Sequence, residues 1–473
     1  MRGHPRRSYK LTFALLALPA IAYALLQSLV VPALTDIQHA LHTSVNSVSW
    51  VLTGYLISAA VATPLIGRLG DIYGKKRVLI AVLVVMSVAT TVCALATTLP
   101  VMVAGRFVQG TSGGIYPLAF GIIRDEFPRE RVAWGVGLMS ALVGIGGVAG
   151  VVLAGPIVDH LSLPYLFWLP LVLIVLATIS IVLLIPESPV RMPGRINWTG
   201  AVLMALGLAN VMLAITQASD WHWLSAKTLS VFAAGAILLV LWVRNESASR
   251  SPLVDMQMMR IRGVWTTNLV AFLIGVGSYA SFVLIPELAQ APTRLGYGFG
   301  ASISAAGLFL VPATVTTLIT ATQVGRIEAR FGSRPPLFAA MVLLVAHFAF
   351  LLVARDEAWQ VYCAATLLGG SIGLGFASLI NLIIENVDQG QTGVATGMNV
   401  LMRTVGGAFG ASVTASILAG TVGLAGHPSA HGFSLAFAFL LLAAVVGTVA
   451  VLWIPSRRPE DAFAVIAPRI GVR

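Results

Sequence analysis

The chain has 473 residues, of which 58% are hydrophobic and 10% charged, with a formal net charge of +11. A soluble globular chain carries about 25% charged residues, and the ionisable side chains here are too few to cover two or three water-soluble domains. The composition argues against a soluble enzyme, a nucleic-acid binder or a disordered scaffold, and places the chain in lipid. The two cysteines, Cys93 and Cys363, fall in separate apolar runs and read as small buried hydrophobes rather than a disulfide or metal ligands.

A helix needs about 20 apolar residues to cross the hydrocarbon core. Residues 11–35 carry no charge, and the ten residues before them are basic. That run exceeds the roughly 7–15 residues of a signal-peptide core, and similar runs recur, so it reads as an uncleaved first span. Further spans are expected at about 48–67, 78–97, 100–123, 132–157, 162–185, 198–217, 228–243, 263–286, 301–324, 336–354, 359–384, 393–420 and 433–454, fourteen in all.

Basic residues test this count independently. With the N-terminus in the cytoplasm, the inner segments hold 24 Lys/Arg and the outer ones three, Lys227, Arg294 and Arg355. A single missed span would scramble that asymmetry. Both termini are therefore expected in the cytoplasm, and the positive charge reads as a topology signal with no nucleic-acid partner.

The chain also repeats itself. Gly67-Arg-Leu-Gly-Asp71-Ile-Tyr-Gly74-Lys75-Lys76 matches Gly325-Arg-Ile-Glu-Ala329-Arg-Phe-Gly332-Ser-Arg334 at an offset of 258. Gly110, Gly113, Gly137, Gly146, Gly147 and Gly150 each recur 260 positions later, at Gly370, Gly373, Gly397, Gly406, Gly407 and Gly410. The pattern predicts an all-α membrane protein of two parallel six-helix halves, residues 1–185 and 263–473, the second with a cytoplasmic tail. Residues 186–262 then hold two inserted helices. Parallel halves of this kind build a transport site at their interface.

The loop Gly67-x-x-Gly70-Asp71-x-x-Gly74-Lys75-Lys76-Arg77 resembles the signature loop of the major facilitator superfamily. Arg106-Phe-Val-Gln109-Gly110 is similar to that family's second motif, and Gly146-x-x-x-Gly150-Val151-x-x-Ala154-Gly155 to the motif of its exporters. The latter departs from the pattern at Val151 and Ala154. Its glycines, with Gly406 and Gly410, serve helix packing either alone or together with gating. Fourteen spans with two between the halves narrow the resemblance to the drug/proton antiporters of EmrB/QacA type. Trp50-Val-Leu-Thr-Gly-Tyr55, Pro186-Glu187-Ser188 and Arg403-Thr-Val-Gly406-Gly407 add to it. The resemblance implies a proton-coupled exporter of the inner membrane whose inner gate is organised by Asp71, Lys75, Lys76 and Arg77. In that branch an acid stands nine positions before the first-span proline; counting back from Pro32 gives Tyr23, which leaves the coupling route open.

Ionisable groups inside the membrane need a reason, since each costs at least about 2.5–3.5 kcal/mol to insert. Arg106, with Tyr23 and Gln27 as expected partners, and Arg403 are either cavity residues or structural hubs. His347 either carries a proton or faces a neighbouring helix. Asp36 and Glu287, at outer span ends, are the best remaining acids on the translocation side, and either couple protons or are solvated interface charges. Gln109, Asn268, Asn381 and Asn399 are assigned to the cavity wall. With two buried arginines and no midplane carboxylate, the expected cargo is neutral, zwitterionic or anionic and amphipathic.

Gly110-Thr-Ser112-Gly-Gly114 and Gly369-Gly-Ser371-Ile-Gly373 fit the hydrolase pattern GxSxG, but they lie in apolar helical runs without the strand-to-helix turn that chemistry needs. No metal, cofactor or catalytic constellation is expected. The reading is a monomeric multi-pass transporter, not an enzyme, whose partners are an amphipathic small molecule, protons and the bilayer. Export of one endogenous lipid, siderophore or antibiotic, and a non-transporting membrane sensor, are the alternatives.

Overall fold

The computed structural model describes residues 8–187, 196–422 and 427–455. The basic residues before position 8, Ser188 and the tail beyond 455 lie outside them. Among the described residues the regular elements are helical, apart from one isolated bridge between Val422 and Pro428.

The chain opens with α1 (Tyr9–Ser28), then the short α2 (Leu34–Ala40) and α3 (Val45–Val48). It continues through α4 (Trp50–Tyr73), α5 (Lys75–Ala94), α6 (Leu99–Gln109), α7 (Ile115–Glu126), α8 (Arg129–His160) and α9 (Tyr165–Leu184). Next come α10 (Trp198–Trp221), α11 (Ala226–Ala248) and the single turn α12 (Met256–Arg260). The last third holds α13 (Arg262–Gln290), α14 (Ile303–Leu308), α15 (Val311–Phe331), α16 (Arg334–Val353), α17 (Ala358–Asn386), α18 (Thr392–Ala419) and α19 (Ala430–Val451).

Thirteen helical stretches among the described residues are long and apolar enough to cross a membrane. The span expected at 100–123 is not one continuous helix: α6 and α7 flank a 3₁₀ turn at Gly110–Gly114. Three of those five residues are glycine, which disfavours a regular helix. Their bare backbone also leans on α4, where a Cβ at Gly113 would sit 3.0 Å from the Ala59 carbonyl oxygen. The first span is shorter than expected as well. Its helix ends at Ser28 rather than near residue 35, because Pro32 has no N–H for the Ser28 carbonyl and disfavours helical backbone just before it.

Large apolar side chains such as Val88, Val172, Leu176 and Leu442 are exposed on the bundle exterior, the face a bilayer would cover. Cys93 is buried as expected, but Cys363 is exposed on the outer face of α17. Inside, one apolar cluster draws mainly on residues 15–185 and a second on residues 270–454. A third joins Ile57 and Ala60 of α4 and Met398 and Leu401 of α18 to Met204, Leu208 and Met212 of α10. Helix α10 therefore lies across the seam between α4 and α18. The inserted pair is held by Glu246, whose carboxylate accepts the N–H of Leu253 (2.5 Å) and Val254 (3.2 Å) and an amide hydrogen of Asn197 (3.1 Å).

Candidate functional site: a sealed end and an apolar cavity

At one end of the bundle α4 meets the start of α18. Gly67 lies directly on Gly393, close enough that a Cβ on either would strike the other's carbonyl oxygen. One turn on, the Asp71 carboxylate accepts the backbone N–H of Gly393 (3.2 Å) and of Val394 (3.0 Å). These are orphan donors of the first turn of α18, where the helix dipole also favours an anion. Lys75 stands 3.8 Å from Asp71 and donates to Asp125 at 2.7 Å, with all three side chains buried. Arg124 completes the crossing, donating to the carbonyls of Val387 (3.0 Å) and Asp388 (3.2 Å) and to the Thr392 hydroxyl.

The signature loop thus divides. Asp71 and Lys75 face the crossing, and Gly70 packs under Leu118. Gly74, at φ 106°, makes the turn into α5 that an L side chain rarely adopts, with the Glu187 carboxylate over it. The Lys76 backbone N–H donates to Glu187 at 3.2 Å while its ammonium donates to the Val182 carbonyl at 3.0 Å, and the Arg77 guanidinium stands 3.5 Å from Glu187. Those two tie α5 to the end of α9 and do not reach α18.

Toward the opposite end lies a cavity of about 310 Å³, walled by α1, α4, α8, α13, α17 and α18 together with Leu310. Gln27, Tyr55, Tyr279, Phe282, Phe376 and Thr404 supply its aromatic and polar surface, and no charged residue lines it. Small residues let its walls close up. Gly146 and Gly150 of α8 sit on Ala24 and Ser28 of α1, and the Ser28 hydroxyl donates to the Gly146 carbonyl at 3.1 Å. Gly406 and Gly410 of α18 rest on the Phe272 and Val276 carbonyls of α13. Gly155, further along α8, is half-buried.

The remaining predicted residues are placed as follows. Arg106 is fully buried, but its partners are not Tyr23 or Gln27. Its Nε donates to the Val51 carbonyl (3.1 Å) and its Nη1 to the Leu26 carbonyl (3.0 Å) and Gln109 Oε1 (2.6 Å). Gln109 in turn donates to the Thr90 hydroxyl. Tyr23 packs between Tyr116 (5.5 Å) and Tyr55 (6.3 Å). His347 bonds Ser281 Oγ (3.1 Å) and the Ala364 carbonyl (2.8 Å) away from the cavity. Asn399 donates to Asn268 at 2.9 Å, and neither these two nor Gln109 line the cavity. Asn381 is not in the cavity wall but donates to the buried Glu328 at 2.6 Å. Asp36 and Glu287 are half-buried and do not line the cavity. Arg403 is buried with its guanidinium 4.0 Å from the Phe376 ring centre.

Sequence reasoning missed Tyr55, Tyr279 and Phe376 as wall residues, because aromatic residues in an apolar run carry no positional signal. It also missed Arg124 and Asp125 at the crossing, whose charges read as ordinary loop residues.

A helical bundle with a sealed crossing at one end and an apolar cavity beyond it is the architecture of a membrane transporter. The Major Facilitator Superfamily model matches residues 16–411 and 267–469, and the chain belongs to that family. It is 25% identical over 377 residues to the multidrug transporter protein MdtP of Bacillus subtilis (strain 168), covering 79% of this chain and 69% of that one. To the tetracenomycin C resistance and export protein of Streptomyces glaucescens it is 26% identical, with 89% and 78% covered. An uncharacterized MFS-type transporter of Mycobacterium tuberculosis (strain ATCC 25618 / H37Rv), Rv1877, is 29% identical over 84% of this chain, which spans 58% of that protein's length. Among solved structures, the human organic anion transporter MFSD10 superposes with a TM-score of 0.69 at 17% identity, covering 95% of this chain and 100% of the other. The proton:xylose symporter XylE gives 0.66 at 13% identity, with 97% and 98% covered. Both likenesses carry the fold alone.

Proposed function

We propose that the protein exports amphipathic small molecules in exchange for protons by alternating access, with residues 1–185 and 263–473 rocking against each other and residues 186–262 inserted between them. The observation that carries this reading is the pairing of a crossing sealed at Asp71 with a cavity displaced toward the other end. The basic-residue asymmetry supports placing the Asp71 end in the cytoplasm, in an inner-membrane monomer of fourteen-span type. On that reading the structure is the outward-facing state. Cargo would enter after Asp71 releases Gly393 and Val394, and leave past Val31 and Val283, which line the cavity and are exposed.

The relatives named for multidrug transport and for export of tetracenomycin C favour two versions of the same activity, broad efflux and dedicated export of one endogenous amphiphile. The test is transport in proteoliposomes under an imposed pH gradient, with lumenal pH recorded as candidate compounds are added. Compound-dependent proton movement, lost in Asp36→Asn or Glu287→Gln, supports antiport and locates its carrier. Cargo movement indifferent to the gradient removes the coupling claim.

A further inference from the structure

Two positive charges stand behind the cavity wall without lining it. Tyr55 and Phe376 both line it. Each carries an arginine on its ring face: Arg106 at 4.3 Å from the Tyr55 centre and Arg403 at 4.0 Å from that of Phe376. Lys75 pairs with Asp71 and Asp125, and Arg77 with Glu187, at the sealed end. Neither Arg106 nor Arg403 shares in them.

The two guanidiniums differ in how they are satisfied. Arg106 engages two backbone carbonyls and Gln109 through Nε and Nη1, and only its Nη2 is buried without an acceptor among the described residues. Arg403 is 2% exposed, and its Nε and Nη1 are buried without a hydrogen-bond acceptor among the described residues. A buried charged donor left without an acceptor is costly, and such a group inside a membrane protein marks a functional position by default. Its neighbours on α18, Thr404 and Gly407, are themselves in the cavity wall.

We infer that Arg403 is the counter-charge for an acidic group on the transported molecule. The cavity then prefers lipophilic anions, planar aromatic frameworks bearing a carboxylate or phenolate, over lipophilic cations of the same shape. Tyr55, Tyr279 and Phe282 offer faces and edges for stacking such a framework. A ring that already holds a cation on one face is a poor site for a second, because the quadrupole that attracts cations is already engaged. The inference rests on reading this cavity as the transport site.

The test uses the full chain in an uncharged detergent and a matched pair of probes, 1-pyrenebutyrate and 1-pyrenebutyl-trimethylammonium. Binding is measured by equilibrium dialysis against protein-free micelles. The anion is expected to bind at least about tenfold tighter, the ratio that attraction to a buried, incompletely paired guanidinium behind one wall ring supports. Arg403→Gln removes that preference while leaving the cation's affinity unchanged or improved, which also shows the cavity intact. Arg403→Lys keeps the charge and most of the preference. A cation bound as tightly as the anion by the unaltered protein overturns the inference. So does an anion affinity unmoved by Arg403→Gln, or binding of neither probe. Should Arg403→Gln fail to fold, the unaltered protein's ratio and Arg403→Lys still decide. No gradient enters this measurement, so a protein that pumps without anion preference loses only the inference. One that shows the preference but does not pump loses only the transport reading.

Discussion

The Asp71 carboxylate accepts the backbone N–H of Gly393 at 3.2 Å, a bond between residues 322 positions apart. Its second oxygen takes Val394, so one side chain caps a helix from the other end of the sequence. Charge-assisted bonds of this kind contribute about 1.5–3 kcal/mol each. Asp71→Asn removes the charge and one of the two acceptors. We expect the sealed end to open more often, with maleimide labelling of Thr396→Cys, on a background lacking Cys93 and Cys363, faster by about tenfold or more. Thr396 is fully buried here, one turn into α18. An unchanged labelling rate would remove Asp71 from the seal.

The same crossing can be pried apart without touching charge. A Cβ at Gly67 collides with the Gly393 carbonyl oxygen and lies 2.7 Å from its carbon, and neither is a flexible side-chain end. Backbone has to move, at a cost of about 1–3 kcal/mol for overpacking. Gly67→Ala should therefore raise Thr396→Cys labelling as Asp71→Asn does, and the double variant should add little to either. Additive effects would mean the two contacts hold separate states.

Arg106 joins three helices, bonding α1 through Leu26, α4 through Val51 and its own helix through Gln109. Arg106→Gln loses the hydrogen bonds to the α1 and α4 carbonyls and the stack on Tyr55. A loss of about 2 kcal/mol or more is expected, read as a lower midpoint of thermal unfolding in detergent. Arg106→Lys should recover only part of it, since a single ammonium cannot reproduce a planar fork. If Arg106→Lys equals the unaltered protein in stability and Arg106→Gln still folds normally, the hub assignment fails.

How far the sequence exposed this architecture depended on the kind of signal. The spans were legible because hydrocarbon demands uncharged runs of a set length, and Asp71 because a fixed glycine spacing surrounds it. The partner of Asp71 was not, since backbone amides at Gly393 and Val394 leave no mark in a residue pattern. Arg106 was legible as a buried charge, yet its acceptors are main-chain carbonyls, and side-chain logic pointed instead to Tyr23 and Gln27. The break at Gly110–Gly114 was hidden because hydropathy counts glycine as neutral while helix propensity does not. Asn381 misled for a related reason: amide side chains mark a polar surroundings without saying which, and here its partner is Glu328, outside the cavity.

Two of the repeated glycines should separate packing from cargo contact. Gly410 rests on the Val276 carbonyl, where an added methyl must displace backbone, whereas a Cβ at Gly147 meets nothing within 4 Å. Gly147 lines the cavity and Gly410 does not. Gly410→Ala is expected to lower the unfolding midpoint, by about 1–3 kcal/mol in stability. Gly147→Ala should leave it unchanged or raised slightly, because alanine favours the helix by about 0.8–1.0 kcal/mol over glycine. Its effect should appear in transport, as reduced uptake of the bulkiest cargoes from a series of graded size. Equal thermal shifts in the two variants, with no size-dependent change for Gly147→Ala, would show that the space beside Gly147 is not used by cargo.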